Sequence, residues 1–222
     1  LSISTLALLL FFSLIKLPDA PSTPSSFSFK LTYVKILQCR QFLLPALAGG
    51  LGYGIVVTFN TNAPFIFQNA LQWSAYEYGL LGWPISIAYF MGAAIVNRYV
   101  VTKGRELIIA IGLVGLLSGC SAMLLGGVFH LALLLWLSYC IAIIGQAITY
   151  PVSMSIAIEK SPVEGAYPVA LCGFIHQVMA AMIGVIASLL PSQYPWLSTA
   201  LMLLLALGAL ACVMSSDVGK RG

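Results

Sequence analysis

The sequence predicts an all-α, polytopic helical membrane protein, and three observations carry that prediction. The 222 residues are 60% hydrophobic and 7% charged, with a mean hydropathy of +1.01. A soluble domain carries about 25% charged residues, so too little polar surface exists here to coat a water-exposed globule. The charges are also confined. Residues 41–97 hold Glu77 alone, while 107–158 and 166–216 hold no Asp, Glu, Lys or Arg. Each stretch is about fifty residues, enough to cross a bilayer out and back at roughly 20 apolar residues per crossing. With that path, Lys16, Lys30, Lys35, Arg40, Arg98, Lys103, Arg105, Lys160, Lys220 and Arg221 all fall on one side. The positive-inside rule makes that side cytoplasmic, with the C-terminus there, in a cell inner (plasma) membrane.

Taken in order, residues 1–17 form an apolar run ending beside Lys16, with Leu rather than Met at its start. The basic residue follows the run instead of preceding it, which is the wrong order for a signal peptide. The run is expected to be the end of a helix whose beginning is missing. Residues 18–40 read as a cytoplasmic linker. Its first part, PDAPSTPSSFS, is too rich in Pro and Ser to hold a helix. In 29–40, Phe29, Tyr33, Ile36 and Leu37 share a helical face. That pattern suits either a helix lying on the membrane surface or a lead-in to the next span. Residues 41–216 form a six-helix transmembrane bundle, and 217–222 a cytoplasmic tail. The spans are expected at 42–67, 79–97, 107–129, 131–158, 166–190 and 196–214. An outer loop containing Glu77 is placed at 68–78, inner loops at 98–106 and 159–165, a turn at His130 and an outer turn at 191–195.

The six spans split into two triplets whose first helices correspond weakly. Each carries a polar cluster before a proline: Asn60-Thr61-Asn62-Ala63-Pro64 and Gln146-Ala147-Ile148-Thr149-Tyr150-Pro151. Proline removes a donor and frees a carbonyl, which in a bilayer needs a partner or a watered cavity. The matched pair therefore marks either helix breaks along a transport path or kinks that serve packing.

Enzymatic signatures are missing from the sequence: it has no GxSxG, HExxH, phosphate loop or CxxC. Cys39, Cys120, Cys140, Cys172 and Cys212 lack metal-ligand spacing and read as small apolar packing residues. No enzyme activity, cofactor, metal or nucleic-acid partner is expected. The basic residues serve orientation and contact with anionic lipid headgroups.

Polar groups inside apolar spans are the candidates for function. His176 lies about 15 Å from the start of its span, followed by Gln177. It can meet a ligand, change protonation during a cycle or hold a neighbouring helix. Tyr53 and Asn60 share one face of their span, with Asn62 nearby. Tyr139, Gln146, Tyr150 and Ser153 form a stripe on another. Together these positions suit an amphipathic cavity or packing. Ala166, Ala170, Gly173, Ala180, Gly184 and Ser188 recur at helical spacing and read as a close-packing stripe. The span at 196–214, mostly Leu, Ala and Met, is expected to face lipid. Glu77 reads as a solvated loop carboxylate.

Several of these segments resemble a known family. APFIFQNALQWSAYEYGLLGWPISIAYFMGAAIVNRYVVTKGREL, residues 63–107, resembles the helix 7–8 region of the major facilitator superfamily. The similarity is greatest to its drug-efflux branch of bicyclomycin and chloramphenicol resistance proteins (Bcr/CflA). Gly92, Asn97, Arg98, Lys103, Gly104 and Arg105 look like that family's degenerate loop 8–9 copy of the GxxxDRxGRR gating motif, with looser spacing and Asn97 in place of the acid. GQAITYPVSMSIAIEKSPVEGAYPVALCGFIHQ, residues 145–177, is similar to the helix 10–11 join, and Lys16-Leu17-Pro18-Asp19 to the exit from helix 6.

The resemblance implies the C-terminal half of a twelve-helix transporter, comprising the end of helix 6 and the bundle of helices 7–12. The cavity would lie on helices 7, 8, 10 and 11, with 9 and 12 outside. It also implies proton-driven export of small amphipathic compounds. The partners would be the substrate, protons, the bilayer and the missing N-terminal half. A membrane subunit that pairs with another protein, without transporting by itself, is the alternative.

Overall fold

The structure, a computed structural model, describes residues 29–216. The expected helix end at 1–17, the first part of the linker with Lys16 to Asp19, and the tail with Lys220 and Arg221 lie outside the described residues. Within them the chain is helical from end to end. α1 is Phe29–Gln38, α2 Arg40–Phe65 (continued by a π turn, Ile66–Ala70), α3 Ala75–Leu80 and α4 Gly82–Lys103. α5 is Arg105–Val128, α6 Ala132–Glu159, α7 Ala166–Ser188 and α8 Pro195–Ser215. Six spans are long and apolar enough to cross a membrane.

The helices alternate in direction, so their ends fall into two sets. At one end lie the start of α2, the end of α6 and the start of α7. There the Cys39 thiol donates to the Lys160 carbonyl at 3.6 Å, and the Tyr33 and Tyr167 rings meet edge to face at 5.8 Å. The α4–α5 turn joins the same end through the Arg105–Glu159 ion pair. Among the described residues this end carries every Lys, Arg, Asp and Glu except Glu77. The opposite end is lined by aromatic residues, with Trp73, Tyr76, Trp83, Phe129, Tyr194 and Trp196 close to its turns. Aromatic rings of this kind favour a membrane interface.

Packing sorts the spans into two layers. α2 packs on α6, α7 and α8, while α6 packs on α2, α4 and α5, and α5 also packs on α8. The chain thus forms a front row, α4–α6–α2–α7, with α5 and α8 behind it. α2 and α6 are the central members of the row. α4 and α7 flank them and leave Phe90, Met91, Phe174 and Met182 exposed. α8, expected to face lipid, is two-sided. Ser198, Thr199, Met202, Leu205, Ala206 and Ala209 are buried against the bundle, and only the opposite face is open.

Lipid tails are as apolar as leucine, so these helices associate through close packing rather than water exclusion. The tightest seam runs between α5 and α6. A Cβ at Gly119 would lie 2.5 Å from the Ala142 nitrogen, and one at Gly145 would lie 2.5 Å from the Gly112 carbonyl oxygen. Glycine is the side chain that permits this backbone approach.

Several expected boundaries move. Neither proline breaks its helix: Pro64 lies inside α2 and Pro151 inside α6. The ring of Pro64 removes the donor for the Asn60 carbonyl. The helix continues past Pro64 and widens into a π turn at Ile66–Ala70 rather than unwinding. The expected outer loop at 68–78 is largely helical, and Glu77 closes a capping box with Ser74 at the start of α3. The expected inner loop at 98–106 shrinks to Gly104, whose φ of 82° lets α4 turn directly into α5. His130 does mark a turn, with φ of 54°. α1 is separated from α2 by extended Cys39, and its buried side is Thr32 and Ile36 rather than Leu37.

Candidate functional site

His176 is the polar centre of the front row. It is 1% exposed and sits where α2, α6 and α7 meet. Its Nε2 lies 2.9 Å from the Ala46 carbonyl oxygen, and its Nδ1 lies 3.2 Å from the Tyr150 hydroxyl. A carbonyl only accepts, so Nε2 carries hydrogen and donates to Ala46. In the neutral ring Nδ1 then accepts from the Tyr150 hydroxyl, and in the imidazolium it donates to that oxygen. Tyr150 can reverse its role in the bond, whereas Ala46 cannot. One imidazole therefore ties three helices together, and the tie through Tyr150 holds in either protonation state.

The sequence explains why the ring fits. α2 carries Gly49 and Gly50 one turn after Ala46. A Cβ at Gly49 would lie 3.0 Å from His176 Nε2, and one at Gly50 would lie 2.5 Å from Met179 Sδ. Cys172, one turn before His176, places its sulfur 3.6 Å from Nε2. The Tyr150 ring lies 5.0 Å from the imidazole and 6.0 Å from the Tyr53 ring. Both tyrosines are only half-buried. The cluster thus runs from a buried imidazole to two aromatic faces that open at the front of the row.

The other predicted cavity positions separate. Gln146 is buried between α6 and α2, near Gly52, and its Oε1 has no hydrogen-bond partner. Buried Ser153 also leaves its Oγ without a partner. An unsatisfied buried polar group costs about 1–3 kcal/mol, so these atoms are costly features of the α2–α6 interface. Tyr139 does not join them. It stacks on Phe59 at 3.4 Å inside an apolar core with Phe67 and Met123. Asn62 is buried and donates to the Ala187 carbonyl at 3.0 Å, fastening α2 to α7. Asn60 and Gln177 are exposed. The small-residue stripe on α7 is only partly a packing face. Ala180 is buried and Gly184 would meet Val57, but Ala166, Ala170 and Ser188 are exposed and a Cβ at Gly173 would touch nothing. The packed face of α7 is instead Pro168, Leu171, Cys172, His176, Ala180, Ile183 and Ala187.

The predicted gating residues fall on α4 and the start of α5. A Cβ at Gly92 would lie 2.6 Å from the Ile144 carbonyl oxygen, so α4 rests directly on α6 there. Asn97 and Arg98 are exposed on α4, Lys103 ends that helix, and Gly104 is the turn. Arg105 opens α5 and pairs with Glu159 at the end of α6. Sequence reasoning missed Ala46, Gly49, Gly50 and Cys172. The GGLG run at 49–52 was the available signal, since repeated glycine within an apolar helix marks close approach.

The fold and the sequence converge on one family. Residues 1–166 match the family model of the Major Facilitator Superfamily. No curated protein matches the chain. The family match runs through the α2–α6 pair at the heart of the front row, and with the six apolar spans it gives the conclusion that this multi-pass membrane protein belongs to the major facilitator superfamily, a family of transporters.

Proposed function

We propose that the chain is the C-terminal half of a twelve-helix transporter that exports small amphipathic compounds in exchange for protons, close to the bicyclomycin and chloramphenicol resistance branch. The observation that carries this reading is the His176–Tyr150–Tyr53 cluster, which opens from the α2–α6–α7 junction onto the front of the row. A partner half facing that row would enclose the cluster between two bundles. Tyr53 and Tyr150 supply aromatic area for an apolar ligand, and Gln146 and His176 supply a few hydrogen bonds, the usual composition of such a cavity. The charged end is cytoplasmic in this reading, and the membrane is the cell's inner membrane. The pivot at Gly92, Asn97, Arg98, Lys103, Gly104 and Arg105 gates that side.

The family resemblance places proton-carrying acids in the N-terminal half, and none of the described spans carries an acid below its ends. Coupling therefore requires both halves. A substrate panel on the full-length transporter, with His176→Ala and Gln146→Ala, tests the cavity. Altered KM or kcat is expected in both variants, and unchanged kinetics in both would remove these residues from it. Dye efflux driven by a proton gradient through vesicles holding the 222-residue chain alone would refute the need for a second half.

A further inference from the structure

The charged end holds a cavity that borders the proposed gate and shares Lys103, Gly104 and Arg105 with it. Its volume is about 860 Å³, and it lies among α4, α5 and α6. Its walls change character with depth. Val96, Val100, Pro151, Val152 and Ile156 line the deeper part, and Lys103, Arg105, Glu106, Glu159 and Lys160 line the rim. α4 leans on α6 through Gly92 and only lightly touches α5, its neighbour in sequence. The cavity therefore separates α4 from α5 at this end. Val101 and Leu107 border it and are 89% and 50% exposed. Such side chains are at home against hydrocarbon rather than water.

We infer that this groove seats one anionic phospholipid, with its phosphate among Lys103, Arg105 and Lys160 and an acyl chain along the valines below. Charge selects the headgroup. Three cations face two carboxylates, and with Arg105 and Glu159 paired, Lys103 and Lys160 stand beside Glu106, leaving the rim net positive. The uncapped start of α5 at Gly104 adds backbone donors to the same rim. The apolar wall selects a lipid over a soluble anion, because a free phosphate gains nothing from buried valine. Basic pockets between spans at the headgroup level suit this ligand. The site stands independently of what the protein transports.

Native mass spectrometry of the full chain in detergent, titrated with dioleoyl phosphatidylglycerol or dioleoyl phosphatidylcholine, tests the assignment. One phosphatidylglycerol is expected to bind at least fivefold more tightly than phosphatidylcholine. Each basic residue near a membrane surface contributes about fivefold in affinity, so Lys103→Gln with Lys160→Gln should weaken phosphatidylglycerol on the order of twentyfold and leave phosphatidylcholine unchanged. Both lysines are exposed, and an unchanged melting temperature verifies the fold. Val101→Gln should weaken both lipids by a smaller factor. Lys35→Gln, at the same end but outside the groove, should change neither. Equal binding of the two lipids overturns the proposal. So does a loss in Lys35→Gln as large as that in the double variant, which would show only diffuse surface attraction. Displacement of the lipid by free glycerol phosphate at equal concentration would reduce the site to an anion site. Tighter lipid binding after deletion of 217–222 would give the groove to the chain's own tail.

Discussion

α6 presents two different interfaces on its two sides. Toward α5 it offers Gly145 and Ala142, and the two backbones touch. Toward α2 and α7 it offers Gln146, Tyr150 and Ser153, and the contact is polar, partly unsatisfied and mediated by one imidazole. The first seam has one arrangement available, because backbone atoms leave no room to shift. The second is held by side chains that can exchange partners. A transporter needs both kinds: a seam that keeps a bundle intact as a body, and a junction whose bonds can answer a ligand or a proton.

Substitutions on the two sides should separate these roles. The largest effect is expected for Gly145→Val, which drives a side chain into the Leu116 and Gly112 backbone. Overpacking alone costs about 1–3 kcal/mol, and backbone on both sides removes the usual escape. Loss of a monodisperse folded peak in fluorescence-detected size exclusion checks this, and a wild-type profile would show the seam to be loose.

His176→Ala comes next. It removes the bonds to the Ala46 carbonyl and the Tyr150 hydroxyl and empties a buried site, which together cost about 1–3 kcal/mol, read as a clear fall in melting temperature. Tyr150→Phe keeps the bond to Ala46 and should cost about 1 kcal/mol. A Tyr150→Phe penalty equal to that of His176→Ala would mean that the Ala46 bond contributes nothing.

Gln146→Leu should be near neutral or slightly stabilising, since it replaces a buried acceptor that has no partner with an apolar group of similar size. Its transport by the full-length protein should nevertheless fall, and a marked drop in stability would make Gln146 a structural residue. The smallest effect is expected for Glu159→Gln. The pair with Arg105 is exposed on both sides, and exposed pairs contribute about 0.2–1 kcal/mol. High salt should erase the difference between this variant and wild type.

The spans were legible because hydrocarbon imposes a length and forbids charge, and both constraints are local. The one-sided basic residues told which ends belong together, and the ends do gather that way among the described residues. The prolines left a break and a kink both open, and the helices continue through them for a physical reason. Pro64 and Pro151 each remove one hydrogen bond, but the long apolar helix around each keeps the rest. His176 and Tyr150 were visible as costly polar groups in apolar surroundings. Their meeting was not visible, since the two residues belong to different helices and the space between them is made by glycines on a third. Tyr139 looked the same as Tyr150 in the sequence, yet one stacks in a core and the other rims an open face.

Composition and charge spacing by themselves determined that this chain is a bundle of apolar helices with one charged end. Each of those conclusions follows from the cost of placing a residue in hydrocarbon, whatever its neighbours. Only the tertiary structure decided which helices form the front row, that glycine locks α5 to α6, and that His176 joins three spans. Those outcomes depend on how closely two surfaces can approach, a property of pairs of helices that no single segment contains.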